Sequence, residues 1–138
     1  MKRKVFVFDT NALISAFLVK KSLSDQAFRR ATEEGILAMS NSLMTEFLEV
    51  VWRDKFDRYF IEKNERADVI LEIEKFSSFF IPNEKITDCT DQNDNMILEL
   101  AITANASCII TGDKKHLIPL HPFRGIPIMT ADDFLKKF

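Results

Sequence analysis

Short apolar runs alternate with longer amphipathic segments along the 138-residue chain. Apolar runs bounded by turn residues favour strands, whereas apolar residues at helical spacing favour helices. Strands are predicted at residues 5–8, 36–39, 80–81, 108–111 and 128–129. Helices are predicted at residues 11–19, 24–34, 65–79 and 96–104, and two more should begin after the predicted N-caps Ser40 and Thr130.

This order of elements predicts the class of fold. Strands that alternate with helices are typical of α/β proteins with a parallel sheet. Residues 5–8 are apolar at every position, as expected of a strand that is buried on both faces. We therefore expect a three-layer α/β/α sandwich with a mainly parallel central sheet. No repeat or linker-like stretch divides the chain, so residues 1–138 are expected to form a single domain.

Composition narrows the class of protein only slightly. Hydrophobic residues make up 46% of the chain and charged residues 29%, as in an ordinary globular domain. The net charge of -2 does not favour a nucleic-acid-binding protein, for which a basic balance is usual. Two cysteines are too few for a disulfide framework, and Cys108 lies in an apolar run that predicts a buried thiol. The apolar runs are too short for a signal segment or a membrane span, which predicts a cytoplasmic protein.

Four acidic residues lie near the ends of predicted strands. Asp9 directly follows the first strand, and Asp113 follows the strand at 108–111 after one glycine. Glu46 lies in the helix after the second strand, and Asp94 immediately precedes the apolar helix at 96–104. Because sites in open parallel sheets form beyond the carboxyl ends of the strands, all four are expected at one edge. Taken singly, the aspartates could equally be helix caps or first-turn acids, and Glu46 a helix-boundary residue.

Carboxylates gathered at one place indicate a particular chemistry. Like charges raise one another's pKa unless a cation compensates them. Oxygen ligands suit Mg²⁺ or Mn²⁺, and the absence of His and Cys among the four acids argues against zinc. A magnesium or manganese site made of acids favours phosphate chemistry, in which metal ions orient water and offset charge on a leaving oxygen.

Four segments of the chain resemble the motifs of one known family. They are V-F-V-F-D-T-N-A-L-I-S, S-N-S-L-M-T-E-F-L-E-V, C-T-D-Q-N-D-N-M-I-L-E-L-A and C-I-I-T-G-D-K-K-H-L. In this order they are similar to the motifs of the PIN-domain family, metal-dependent ribonucleases that include the VapC-type toxins of bacterial toxin–antitoxin pairs. The resemblance extends over residues 5–118, and its first and last motifs are the most specific.

The resemblance implies a function and a set of site residues. Asp9, Glu46, Asp94 and Asp113 would be the catalytic, metal-binding acids. They would hold one or two Mg²⁺ or Mn²⁺ ions, and metal-activated water would hydrolyse RNA phosphodiester bonds. Related sequences usually have proline where this chain has Gln92. Asp94 fits the ligand position better than Asp91, because it directly precedes the apolar helix; Asp91 would then be a cap or an outer group.

Further polar residues have candidate roles around these acids. Thr10 and Asn11 could hydrogen-bond a ligating carboxylate or a metal-bound water, and Thr111 could help to position Asp113 or a phosphate. Asp91 joins this outer set as a cap or outer group. For Thr10 and Asn11, the alternative is a helix cap and a residue that tolerates the bend. Lys20, Lys21, Lys114 and Lys115 are candidate RNA-binding residues, and Arg53, Lys55 and Arg58 form another basic cluster. Each of these cations could also be an ordinary surface charge. His116 and His121 are assigned to loops or packing.

The charge balance is compatible with RNA binding. If the four acids are left out of the net charge of -2, the rest of the chain has a net charge of +2 (-2 + 4). The resemblance implies RNA as the substrate. It also implies that an antitoxin protein could bind the chain and that the chain could form a homodimer or higher homo-oligomer. Two alternatives are a non-catalytic RNA- or protein-binding module and a Mg²⁺-dependent phosphatase of haloacid-dehalogenase type. The phosphatase is disfavoured because Asn11 lies where it would need a second acid.

Overall fold

A computed structural model describes residues 3–59 and 65–138 of the chain. It contains five strands, all parallel, in the order β3-β2-β1-β4-β5. The strands are β1 (Lys4–Phe8), β2 (Gly35–Met39), β3 (Ser77–Phe79), β4 (Cys108–Ile110) and β5 (Ile128–Met129). The helices are α1 (Thr10–Leu18), α2 (Leu23–Glu34), α3 (Asn41–Val51), α4 (Glu65–Phe76), α5 (Gln92–Ala104) and α6 (Ala131–Lys137). The predicted three-layer α/β/α fold is confirmed, with a sheet that is parallel throughout.

Strand β1 lies at the centre of the sheet, and its sequence explains that position. Phe6, Val7 and Phe8 are fully buried, as an apolar strand between two helical layers must be. The ring of Phe8 contacts Phe28 of α2, and the ring of Phe6 contacts Phe134 of α6, both edge to face. Burial of one such side chain stabilises the fold by about 1.5–3 kcal/mol. The phenylalanine-rich composition therefore supplies much of the core.

The order of the strands determines where a site can form. From β1 the chain moves outward to β2 and then β3, and α5 carries it back across the sheet to β4 on the other side of β1. Since parallel crossovers are nearly always right-handed, connections in opposite directions lie on opposite faces of the sheet. A crevice opens where the direction reverses, beyond the carboxyl ends of β1 and β4. Asp9 follows β1 at this point, and Thr111 follows β4.

Most predicted elements agree with the structure to within a residue or two, but α5 begins four residues before its predicted start, and residues 65–81 differ further. The predicted helix over 65–79 ends at Phe76, and residues 77–79 form β3 instead. The strand predicted at 80–81 is therefore wrong. Pairing decides the outcome, because Ser77 and Phe79 are in register with Leu37 and Met39 of β2. Helical periodicity continues through this segment, and only the neighbouring strand ends it.

The predicted N-caps are confirmed. The Ser40 hydroxyl accepts a hydrogen bond from the amide of Leu43, and the Thr130 hydroxyl accepts one from Asp133. Within residues 3–59 and 65–138, no helix is both long and apolar enough to cross a membrane. That residues 1–138 form a single domain stays a prediction.

Candidate metal centre

The ends of β1 and β4 lie side by side and bring Asp9 next to Thr111. Phe8 is in register with Ile110, and the Asp9 amide donates to the Ile110 carbonyl at 3.2 Å. The Thr111 hydroxyl donates a hydrogen bond to Oδ2 of Asp9. The same hydroxyl accepts from the Asp113 amide at 3.0 Å. One buried threonine thus joins the residues that follow two neighbouring strands.

Asp113 forms a tight turn at the end of β4. Its Oδ1 accepts hydrogen bonds from the amides of Lys115 and His116, each at 3.0 Å. The imidazole Nδ1 of His116 lies 3.3 Å from Oδ2 of Asp113. Partial burial acts to raise the pKa of Asp113, but the two amides and the imidazole outweigh it and hold the pKa below its ordinary value. Asp113 is therefore a stable anion beside the crevice.

Helix α5 brings Asp94 to the same place. One ligand atom from each of Asp94, Asp113 and His116 lies within 4.8 Å of the other two. Burial raises the pKa of Asp94, and the charges of Asp113, Asp91 and Glu46 raise it further. The contribution of Glu46 shows that this carboxylate of α3 is electrostatically coupled to the group. The helices α3 and α5 therefore supply the other two of the four predicted acids.

Asp9 is the most deeply buried of the four, with 8% of its surface exposed. Burial raises its pKa to about 6, against hydrogen bonds from Thr111 and from the amide of Ala12, while the charges of Asp113 and Asp94 raise it further. Asp9 and Glu46 are not part of the close group of Asp94, Asp113 and His116. Each of the four acids is thus electrostatically coupled to at least one other, and Asp9 is the one most shielded from solvent.

The donor set fits a divalent cation. Burial and, to a smaller extent, repulsion among the acids raise the pKa of Asp9 and of Asp94, and a bound cation would stabilise both carboxylates. Carboxylate oxygens are the ligands that Mg²⁺ and Mn²⁺ prefer, whereas the imidazole nitrogen of His116 suits transition metals better than magnesium, so the sequence-based argument against zinc no longer holds. Beside Asp9, the buried hydroxyl of Thr10 has no hydrogen-bond partner among the described residues. These observations are compatible with a metal centre built from the four predicted acids and His116.

The remaining predicted site residues fall into different surroundings. Asp91 is the N-cap of α5, and its Oδ1 accepts from the Asn93 amide at 2.9 Å. The cap of α1 is Asp9, whose Oδ1 accepts from the Ala12 amide at 2.8 Å, so the interpretation of Thr10 as the cap is wrong. Asn11 is exposed and lines a cavity together with Thr111 and Lys114.

The predicted RNA-binding lysines are not all placed alike. Lys114 and Thr111 line the same cavity, which none of the four predicted acids lines. Lys115 is exposed two residues after Asp113, to which its amide donates. Lys20 lines a different cavity, between α1, α2 and α4, and the Lys21 amide donates to Asp25 there. The structure therefore groups Lys114 with Thr111 and groups Lys20 with other elements.

Sequence reasoning misses two residues that shape the site. His116, which is predicted to be a loop or packing residue, lies in the close group with Asp94 and Asp113. A signal was present, since an aspartate at a strand end readily accepts hydrogen bonds from amides two and three residues later and turns the chain back. Asn95 is buried, and its amide group exchanges two hydrogen bonds with the backbone of Cys89. Asn95 thereby fixes the loop that leads into Asp91 and Asp94.

Comparison with known families agrees with this geometry. The sequence model of the PIN domain matches residues 5–115, which include all four acids. The chain belongs to the PIN domain family. The PIN match begins in β1 and ends two residues after Asp113, so it contains both strands that border the crevice.

Two further likenesses are informative. The uncharacterized protein MJ1680 of Methanocaldococcus jannaschii is 28% identical over 141 residues, which cover 96% of this chain and 90% of that protein. The crystal structure of VapBC2 from Rickettsia felis bound to a DNA fragment from their promoter superposes with a TM-score of 0.59. It is 13% identical, and the match covers 90% of this chain and 96% of the other. At that identity the likeness shows the shared PIN fold.

Proposed function

We propose that this PIN-domain protein is a nuclease that hydrolyses RNA phosphodiester bonds with Mg²⁺ or Mn²⁺. One observation carries the proposal: ligand atoms of Asp94, Asp113 and His116 lie within 4.8 Å of one another at the carboxyl edge of the sheet. The coupled charges of Asp9 and Glu46 support it. The family match supports it as well, because PIN domains are generally nucleases.

The residues of the chain would prepare the site in three ways. Asp94, Asp113 and His116 would hold the cation, with Asp9 and Glu46 adding negative charge beside it. Thr111 would keep Asp9 and Asp113 in a fixed relation through its two hydrogen bonds. Lys114 lines the cavity that Asn11 and Thr111 also line, where its ammonium group could bind a phosphate of the RNA. When bound, the divalent ion would activate water for attack on phosphorus and stabilise charge on the departing oxygen.

A role as a toxin is the more specific form of this proposal. The likeness to VapBC2 and the resemblance of the motifs to VapC-type toxins support it. On this proposal a protein antitoxin would bind the domain and restrain it in the cytoplasm, and the domain would form a homodimer or higher homo-oligomer. If the antitoxin exists, co-expression of its gene should relieve growth arrest caused by this chain.

The test of the nuclease is cleavage of single-stranded RNA with Mn²⁺, with and without EDTA. Cutting should stop in EDTA and should fall by at least about two to three orders of magnitude in Asp9→Asn. Asp68→Asn is the matched control, because Asp68 is an exposed aspartate of α4. Cutting that persists in EDTA, or full activity in Asp9→Asn, would contradict the metal-dependent mechanism.

The same assay separates the two alternatives. Binding of Mn²⁺ and RNA without any cutting would favour a non-catalytic PIN-like module. Hydrolysis of a phosphomonoester such as p-nitrophenyl phosphate, with no attack on RNA, would favour the phosphatase. Asn11 argues against the phosphatase, because it is exposed at the start of α1 where that chemistry needs an acid.

A further inference from the structure

A groove of about 500 Å³ lies beside the acids, between α3 and the start of α5. Glu46 lines this groove and belongs to the predicted acid set, so the groove shares one acid with the candidate metal centre. We name it the amide groove. The neutral polar side chains that line it are Asn41, Ser42, Thr45, Gln92 and Asn93.

The chemistry of the amide groove favours a neutral, planar, hydrogen-bonding ligand. The side-chain amides of Asn41, Gln92 and Asn93 form no hydrogen bond with another described residue of the chain. Each amide both donates and accepts, which matches the mixed donors and acceptors on the edge of a nucleobase. Met96 also lines the groove, with only 8% of its surface exposed.

Charge argues against a phosphate in the same place. Three glutamates line the amide groove, at positions 46, 49 and 99, and Arg53 is the cation among its lining residues. A phosphate among three carboxylates would be repelled, whereas an uncharged base would not be. Arg53 follows the end of α3, so it can neutralise a phosphate that flanks the base.

Position connects the groove to the reaction. Asn93 immediately precedes Asp94, and Glu46 lies five residues after Asn41 on α3. A nucleotide whose phosphate lies at the metal centre would therefore place a neighbouring base in or near the groove. Recognition of single-stranded RNA depends on such splayed bases, whose edges are read by amide side chains.

We propose that the amide groove binds one base of single-stranded RNA beside the scissile phosphate, and that Gln92 and Asn93 select that base by hydrogen bonds to its edge. This inference rests on RNA as the substrate. Discrimination between bases by well-placed amide hydrogen bonds is on the order of tenfold.

The experiment measures binding of four homohexanucleotides, of A, C, G and U, by fluorescence anisotropy with Mn²⁺ present. The Asp9→Asn background prevents cleavage during the measurement. One base should bind about tenfold more tightly than the weakest, and the double variant Gln92→Ala, Asn93→Ala should reduce that ratio to about twofold or less. Gln26→Ala is the matched control, because Gln26 is an exposed amide on α2 outside the groove, and it should leave the ratio unchanged.

The outcomes separate this inference from the nuclease proposal. Equal binding of the four hexanucleotides, or discrimination that survives in the double variant, would overturn the base-reading groove even if the protein cuts RNA. Base-dependent binding that Gln92 and Asn93 control would support the groove even if no RNA is cut. Circular dichroism of each variant confirms that a loss of discrimination does not reflect unfolding.

Discussion

The two sides of the candidate metal centre are held in place by different forces. On the strand side, Asp9 and Asp113 follow the adjacent strands β1 and β4, and the buried Thr111 hydrogen-bonds to both. On the helix side, Glu46 lies on α3 and Asp94 on α5. Among the described residues, neither of these two carboxylates accepts a hydrogen bond.

This difference indicates how the centre depends on its cation. Pairing of β1 with β4 fixes the strand side as soon as the sheet forms, with or without metal. The helix side depends only on the positions of two helices, and the charge of Glu46 helps to raise the pKa of Asp94. We therefore expect metal binding to order the helix side most, and substitutions on the strand side to affect folding as well as metal binding.

The largest expected effect tests which acid of α5 serves the reaction. Asp94→Asn should reduce RNA cleavage by about three orders of magnitude, because it removes a candidate ligand. Asp91→Asn should reduce cleavage less than tenfold, because Asp91 caps the helix and asparagine caps it almost as well. The measurement is the rate of RNA cleavage by the parent and by each variant with saturating Mn²⁺. If Asp91→Asn is the more damaging change, the ligand has been assigned to the wrong residue.

The next effect tests the link on the strand side. Thr111→Val keeps the shape of the side chain but leaves the Asp9 carboxylate and the Asp113 amide without their shared partner. We expect a loss of about 1–3 kcal/mol in the free energy of unfolding, since buried polar groups are left unpaired. Affinity for Mn²⁺ should fall about 10- to 100-fold, as when other groups that orient ligands are removed.

Urea unfolding and isothermal titration with Mn²⁺ measure these two quantities. Thr87→Val is the matched control, because Thr87 is an exposed threonine in the loop before α5. A Thr111→Val protein that binds Mn²⁺ as tightly as the parent would show that the strand side does not need this threonine.

A third prediction concerns the pH dependence of the metal-free protein. The pKa of Asp9 is raised from 3.8 to about 6 on folding, so the folded state binds more protons between these values. Its contribution to stability is therefore fully present below about pH 3.8 and is lost as the pH rises through about 6. The difference corresponds to at most about 3 kcal/mol. The raised pKa of Asp94 acts in the same direction, and the lowered pKa of Asp113 acts in the opposite one.

Urea unfolding in EDTA at pH 4.5 and pH 7.5, in the parent and in Asp9→Asn, isolates this contribution from other titrating groups. As the pH rises from 4.5 to 7.5, the free energy of unfolding of the parent should fall by about 2 kcal/mol more than that of Asp9→Asn. Equal losses would show that Asp9 is not the desolvated acid of the strand side.

The strand side could be predicted from the sequence, because its determinants are local. An apolar run that ends in an acid fixes Asp9 at the end of β1, and a run that ends in Thr-Gly-Asp does the same for Asp113. The N-cap of α3 is also predictable from the sequence, since Ser40 precedes an amphipathic segment. These signals extend over a few residues and need no knowledge of distant partners.

Other features depend on tertiary structure and could not be read locally. The end of α4 at Phe76 is set by pairing of residues 77–79 with β2. The close group that contains His116 forms only when α5 packs beside the turn after β4. The amide groove likewise needs residues that are about fifty positions apart, on α3 and α5. In each case the deciding contact is with a segment far along the chain.

The smallest expected effect concerns His116 and the choice of metal. A nitrogen ligand should favour Mn²⁺ over Mg²⁺, because imidazole binds transition metals better than it binds magnesium. His116→Gln should therefore lower the affinity for Mn²⁺ about tenfold and leave the affinity for Mg²⁺ nearly unchanged. Lys115→Gln is the matched control, because the exposed Lys115 is adjacent and only its backbone amide contacts Asp113.

Electron spin echo spectroscopy of bound Mn²⁺ provides a direct measurement that does not depend on RNA cleavage. The nitrogen modulation expected from a coordinated imidazole should be present in the parent and in Lys115→Gln, and absent in His116→Gln. If the parent protein lacks that modulation, or if His116→Gln loses equal affinity for both metals, then His116 acts only as a hydrogen-bond partner of Asp113. In that case His116 would belong to the strand side, as part of the network that fixes Asp113, and the ligands would all be oxygen.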